Sequence, residues 1–270
     1  MRKIMIIILA AVAMTVSSCR IETVKDKGDL KSKNVEVKDF RNITVAGGFD
    51  VEFTQSDSIS VRVEATEELL DMVSIESDGR TLIIKNKEKN ENHRAIFVMG
   101  GSIGESEPVK VFITAPSLDE LTVSGSASFD IEKSLATEKL KITLTGSGEV
   151  EIDGVKCQSA DLVLIGSGDI RLRPIEAETL NATIAGSGIM QLHTINIKKI
   201  DASITGSGDI FFACKNCDEA VASVTGSGDI SFKGQIENVK QTVAGSGGIS
   251  VDKNAKVAFL FEDNDSTQTE

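Results

Sequence analysis

The chain has 270 residues with 41 acidic and 29 basic side chains, and its formal net charge is −12. Such a charge repels phosphate, so nucleic acid is excluded as the expected partner. The chain also has neither Trp nor Tyr, which disfavours a sugar-cleaving cleft that would need aromatic faces for stacking.

Residues 1–18 have the pattern of a bacterial signal peptide. Residues 1–3 are basic and residues 4–16 are apolar, a segment too short to span a bilayer comfortably. Val16-Ser17-Ser18-Cys19 resembles a lipobox, which implies cleavage before Cys19 and lipidation of its sulfur. The alternative is an ordinary secretory signal that happens to contain a cysteine. A lipid anchor would place the protein in the bacterial cell envelope, at the outer membrane, facing the periplasm or exposed on the surface.

A polar tether is predicted for residues 19–34, followed by an N-terminal β region over residues 35–116. Within that region, residues 43–53 closely copy residues 142–152 and predict a degenerate coil. The remaining elements expected there are strands at 59–65, 81–85 and 109–114, a short helix at 67–73 and a long loop at 86–108. Two interpretations stay open for the region: an irregular opening of the following solenoid, or a small β-domain that caps it.

Residues 117–256 contain a repeated turn, usually Gly-Ser-Gly, at intervals of about 20 residues. The turns begin at Gly125, Gly146, Gly166, Gly186, Gly206, Gly226 and Gly245. Glycine suits such turns because it adopts positive φ without a Cβ clash. A fixed repeat of this length predicts a solenoid in which each coil buries its apolar face on the next.

Three apolar columns define the register of each coil, at two residues before the first turn glycine and at four and six residues after it. The coil around Gly206 has Ile204, Ile210 and Phe212 at these positions. Alternation with polar residues indicates half-buried strands. The fold class is therefore all-β, a right-handed parallel β-helix of about 20-residue coils with an irregular N-terminal β region. A last strand at 257–261 and an acidic tail complete residues 257–270, and a charged tail would protect the exposed end.

An acidic ladder follows the turns, three residues after each first glycine. Its members are Glu149, Asp169, Asp209 and Asp229, interrupted by Ile189. Carboxylates on adjacent coils would lie about 5 Å apart and could share a calcium ion. The alternative is that these side chains accept hydrogen bonds from turn N–H groups, which the interruption favours.

Cys214 and Cys217 form a Cys-x-x-Cys pair that could be oxidised to a disulfide. A metal site with His193 is a second, weaker hypothesis. Cys157 and Cys217 occupy equivalent coil positions and are interpreted as small core residues. No catalytic constellation, cofactor motif or resident metal site is predicted.

The chain resembles the head GIN domain family of auto-transporter adhesins, which is common among lipoproteins of the Bacteroidetes. The resemblance rests on four segments: residues 43–51, Ala65-Thr66-Glu67-Glu68-Leu69-Leu70, Asp78-Gly79-Arg80-Thr81-Leu82 and Ala115-Pro116-Ser117-Leu118. The last of these leads directly into the coils. It implies a pectin-lyase-like β-helix without conserved catalytic residues and a role in adhesion.

Three functions are therefore considered. The favoured one is a non-enzymatic, lipid-anchored envelope protein that acts as an adhesion or interaction module for an envelope or host-surface ligand. The alternatives are a polysaccharide lyase or hydrolase of pectate-lyase-like fold and a structural protein of the envelope. Exposed coil ends would also permit an oligomer.

Overall fold

A computed structural model describes residues 29–87 and 109–254. Most of these residues lie in strands of one continuous 21-stranded sheet. Coil after coil pairs in parallel with the next, so the fold is the parallel β-helix predicted from the sequence, with an irregular N-terminal β region.

The N-terminal region contains seven strands and one short helix. In chain order they are β1 (Lys31–Val35), β2 (Asn42–Gly47), β3 (Asp50–Gln55), β4 (Ser60–Ala65), α1 (Glu67–Met72), β5 (Val73–Ser77), β6 (Thr81–Asn86) and β7 (Lys110–Ala115). Strong β composition marks most of these strands. The helix agrees with the short helical segment expected there.

The coils contain a strand that ends at each turn glycine, a strand that follows the turn, and a short third segment. These strands are β8 (Glu120–Gly125), β9 (Ser128–Ile131), β10 (Leu135–Ala136), β11 (Lys139–Gly146), β12 (Glu149–Ile152), β13 (Val155–Lys156), β14 (Ser159–Gly166), β15 (Asp169–Glu176), β16 (Thr179–Gly186), β17 (Ile189–Ile195), β18 (Lys199–Gly206), β19 (Asp209–Gly226), β20 (Asp229–Gly245) and β21 (Gly248–Asp252). The third segment merges with its neighbours in β19 and β20, which each run along more than one side of a coil.

The turns lie directly on top of one another. Gly206 pairs with Gly186 below it and Gly226 above it. The N–H groups of Ser207 and Gly208 both donate to the Gly186 carbonyl oxygen, at 2.8 and 3.1 Å. The predicted turn glycines all have positive φ, namely Gly125, Gly146, Gly166, Gly186, Gly206, Gly226 and Gly245.

The predicted apolar columns fill the interior of the coils. They are buried from the first coil through Val224, Ile230 and Phe232, where the rings of Phe212 and Phe232 stack with centroids 4.7 Å apart. In the last coil the burial ends, and Val243 is 43% exposed. The reason is that, among the described residues, β21 covers only the first part of β20 (residues 229–233), and no strand pairs with the outer side of β21 or of β20 near Val243.

The N-terminal region belongs to the same sheet as the coils. Strands β2 and β3 pair in parallel with β8 and β9, in the register of a further coil. Strands β6 and β7 form the next layer, because they pair in parallel with β2 and β3. The described residues of the predicted 35–116 region therefore extend the β-helix, in layers that do not follow chain order.

Antiparallel strands complete the N-terminal end. Strand β5 pairs with β6, β4 pairs with β7, and β1 pairs with β4, while α1 connects β4 to β5. These strands occupy edges that the parallel stack would otherwise expose. Strands β1, β4 and β5 with helix α1 therefore form a cap on the β-helix.

The tether predicted for residues 19–34 is too long, because β1 begins at Lys31. The side chains of β1 are polar and mostly exposed, without an apolar alternation that would predict a strand. The strand forms through backbone pairing with β4.

Several predicted segments lie outside the described residues. They are the signal peptide at 1–18, Cys19, the 257–261 strand, the acidic tail and most of the 86–108 loop. Within residues 29–87 and 109–254, no helix is long and apolar enough to cross a membrane.

Candidate interaction surface

The acidic ladder lies on the outer face formed by the strands that follow the turns. Glu149 pairs in register with Asp169, and Asp209 with Asp229. Ile189 separates the two pairs, as the sequence predicts. The four carboxylates therefore form two adjacent pairs and not one continuous array.

The first pair already has a cation, the guanidinium of Arg171. It makes ion pairs with Glu149 and with Asp169, the latter at 3.1 Å. In the second pair, the Asp209 carboxylate accepts a hydrogen bond from the Asp229 N–H at 3.0 Å. The described residues contain no group of three side chains that could hold a metal ion. Arg171 therefore pairs with the first two carboxylates, and a backbone N–H of the next coil pairs with Asp209, while calcium binding by the ladder stays a prediction.

The Cys-x-x-Cys pair is buried inside the coil. Cys214 and Cys217 are each 1% exposed and are free thiols. The Cys217 sulfur lies 3.4 Å from the hydroxyl of Thr194, which pairs in register with Cys214. The hydrogen bond between the two thiols lowers the pKa of Cys217 and, together with burial, raises the pKa of Cys214.

The other candidate thiol and the histidine do not join this pair. Burial raises the pKa of Cys157 to about 11, so its thiol stays protonated at neutral pH. His193 pairs in register with Ala213, and the neighbouring Thr194 has the inward position. Burial lowers the pKa of His193. His193 thus lies on the opposite face of its strand from Thr194, which contacts Cys217.

A different surface is the most regular feature of the molecule. It consists of two outward positions, one and three residues before the turn glycine, on each strand that ends at a turn. We call it the threonine face, and its members are Thr44, Ala46, Thr122, Ser124, Thr143, Thr145, Val163, Ile165, Thr183, Ala185, Ser203, Thr205, Ser223, Thr225, Thr242 and Ala244. All are exposed or half-buried.

Parallel pairing places these residues in two straight columns. Thr183 pairs with Ser203 and Ala185 with Thr205, and the same register runs from β2 to β20. Neighbouring strands in a sheet are about 4.8 Å apart, and the Ser203 hydroxyl donates to the Thr183 hydroxyl at 3.2 Å. The result is a regular array of hydroxyl and methyl groups.

The threonine face contains no charged side chain, whereas 26% of the residues in the chain are charged. Ile165 is 45% exposed near its middle. An uncharged surface has a smaller desolvation cost on contact than a charged one, so this face is suited to docking a partner. The columns are visible in the sequence as Thr/Ser/Ala positions, but only stacking shows that they form one surface.

The face formed by the strands after the turns has the opposite character. Its N-terminal part carries Asp50, Asp130, Glu132 and Asp153, and burial is the main cause that raises the pKa of both Asp50 and Asp130. Charge repulsion from Asp50, Glu132 and Asp153 raises the pKa of Asp130 further. Phe211 is 42% exposed on this face. This face is therefore charged at one end and mixed in character beyond it.

Comparison with known proteins supports the adhesin resemblance. Residues 39–235 match the profile of a family described as "Putative auto-transporter adhesin, head GIN domain". No protein with a curated description is detectably similar.

Several solved structures share the fold. A "putative lipid binding protein" from Parabacteroides distasonis is 27% identical, with a TM-score of 0.72 and coverage of 84% of this chain and 98% of that one. A "putative adhesin" from the same species is 28% identical, with a TM-score of 0.68 and coverage of 84% and 99%. A "putative adhesin" from Bacteroides fragilis is 22% identical, with a TM-score of 0.70 and coverage of 85% of this chain and 100% of that one. At this identity the likeness shows the fold alone.

Proposed function

Because the chain belongs to the family of putative auto-transporter adhesins with a head GIN domain, we propose that it is a non-enzymatic adhesion or interaction module. Lipidation at Cys19 anchors it to the outer membrane, and the threonine face binds an envelope or host-surface component. The proposal rests chiefly on one observation, the two uncharged outward columns of the threonine face that extend in register from β2 to β20.

A binding test can separate the two faces of the β-helix. The mature chain from residue 19, made with Cys19→Ser, is added to immobilised envelope fractions and host-matrix proteins. Ile165→Glu and Thr205→Glu place a charge on the threonine face and should weaken binding about tenfold, because the new carboxylate must be desolvated. Gln191→Glu and Ser231→Glu add the same charge to the other face and serve as controls. Equal losses in both sets would contradict the proposal.

The enzymatic alternative has its own test. The protein is incubated with pectin and other uronic-acid polymers, with and without calcium, and unsaturated and reducing ends are measured. We expect no release of either. Turnover that Asp169→Asn or Asp209→Asn abolishes would replace the proposal with a polysaccharide lyase. Assembly into long polymers through the coil ends, seen by light scattering, would instead favour a structural role.

A further inference from the structure

A cavity of about 270 Å³ lies at the N-terminal end of the β-helix. Its apolar wall consists of five side chains from β1, β4, α1 and β5, namely Val35, Val63, Leu70, Val73 and Ile75. Val63 and Val73 are buried, whereas Val35, Leu70 and Ile75 are only partly buried. Apolar surface of the cap therefore remains open in this cavity.

The cavity follows from the way the cap is built. Strand β4 extends the sheet beyond β7, and β5 extends it beyond β6. The helix α1, which joins β4 to β5, has six residues, and its only buried one is Leu69. A helix this short covers little of the space between the two extensions.

Charged groups line the cavity beside the apolar wall. Lys33 and Lys87 contribute ammonium groups, and Glu76 contributes one carboxylate that already accepts a hydrogen bond from Ser74 at 2.6 Å. Neither lysine forms an ion pair with another residue in the ranges 29–87 and 109–254. On a chain with a formal net charge of −12, this positive rim favours an anionic group.

We propose that this cavity binds a single acyl chain that carries an anionic headgroup, such as a fatty acid or a lysophospholipid. The apolar wall contacts the acyl chain, because each methylene removed from water adds to affinity. The two lysines bind the anionic headgroup. Ligand pockets commonly measure about 300–1,000 Å³, so a cavity of about 270 Å³ suits one chain and not a two-chain phospholipid.

The position of the cavity agrees with such a ligand, and this point rests on the proposed lipid anchor. Strand β1, which carries Lys33 and Val35, begins about twelve residues after Cys19. An extended chain of that length spans at most ~40 Å. The cavity would therefore stay close to the membrane surface, where acyl-chain ligands are within reach.

The test is a fluorescence titration with dansyl-labelled undecanoic acid and the mature Cys19→Ser chain, which has no acyl anchor of its own to compete. We expect saturable binding of one probe per protein. Unlabelled dodecanoate and lysophosphatidylglycerol, tested separately, distinguish a free fatty acid from a membrane lipid, and displacement by either supports the proposal. Dodecanol, which lacks the charge, should displace the probe less well.

Charge reversal tests the role of the rim. Lys33→Glu with Lys87→Glu should weaken probe binding about tenfold or more, while thermal melts confirm that the variant is folded. Lys139→Glu with Lys233→Glu changes the net charge equally at exposed sites in the coils, away from the cavity, and should leave binding unchanged. Absence of saturable binding, or equal losses in the two double variants, would overturn the proposal. Neither outcome bears on the threonine face, whose test uses immobilised partners.

Discussion

A Cβ atom on Gly206 would stand 2.2 Å from the carbonyl oxygen of Gly186 in the coil below. That oxygen already accepts hydrogen bonds from the N–H groups of Ser207 and Gly208. Gly206 also has a φ of +130°, where residues with a side chain are strained. Close stacking and backbone conformation thus require glycine at the same position.

Gly206→Val should therefore destabilise the protein far more than Ser207→Val. The first change forces a β-branched residue into positive φ against the backbone below, at a cost of ~3 kcal/mol or more. The second adds a side chain at an exposed turn position and should cost under ~1 kcal/mol. Urea midpoints measure both. A Gly206→Val protein with the wild-type midpoint would mean that the turn stack is not present in solution.

Ile204→Asp tests the register of the apolar columns. Ile204 is 1% exposed, so the substitution buries an unpaired carboxylate and should cost several kcal/mol. The neighbouring Ser203→Asp places the same group on the outer face, where only the hydrogen bond to Thr183 is lost. We expect a large drop in melting temperature for the first and a small one for the second. A larger drop in melting temperature for Ser203→Asp than for Ile204→Asp would mean that the inner and outer faces are assigned the wrong way round.

Val243→Asp repeats that test at the end of the same column. Val243 is 43% exposed in the last coil, so the new carboxylate can still be hydrated and should cost under ~1 kcal/mol. The matched comparison is Ile204→Asp, measured by the same thermal melts. A cost as large as that of Ile204→Asp would show that a further segment or a second molecule covers this end in solution.

Asp130→Asn should stabilise the protein at neutral pH. The pKa of Asp130 is raised above its ordinary value of 3.8, first by burial and then by Asp50, Glu132 and Asp153. The native state therefore binds this proton more tightly than the unfolded chain, and stability falls as pH rises from 3.8 through the raised pKa. Asparagine does not ionise, so the variant keeps the stability that the wild type loses as the pH rises. Its amide oxygen can still accept the hydrogen bond from Ser128.

The expected gain at pH 7 is under ~1 kcal/mol, because the carboxyl is only half-buried. Urea unfolding at several pH values measures it, and the advantage of Asp130→Asn should disappear at acidic pH. Asp57→Asn, on an exposed loop, is the control and should change little. A gain that stays constant as the pH is lowered would indicate a cause other than ionisation.

The repeat by itself determines the architecture of the coils. The spacing of Gly206 from Gly186 sets the length of one coil, and the alternation around Ile204 assigns its inner and outer faces. These features are local and repeated, so each copy confirms the period of the others.

The N-terminal cap could not be predicted in the same way. Strand β6 pairs with β2 although β3, β4 and β5 lie between them in the chain, and β1 forms without an apolar pattern because β4 offers it a backbone edge. Pairings between distant segments leave no periodic trace in the sequence. The cavity beside Leu70 exists only because of these pairings.

The candidate surfaces were also determined partly by the sequence and partly by the tertiary structure. The residue types of the threonine face and the acidic ladder could be read from the sequence, together with their register. Tertiary structure alone decided that Arg171 forms ion pairs with Glu149 of the neighbouring coil and with Asp169 of its own strand, because a long side chain can reach partners on either coil. It also brought Thr44 and Thr242, far apart in the chain, onto one uncharged face, because parallel stacking aligns equivalent positions of successive coils.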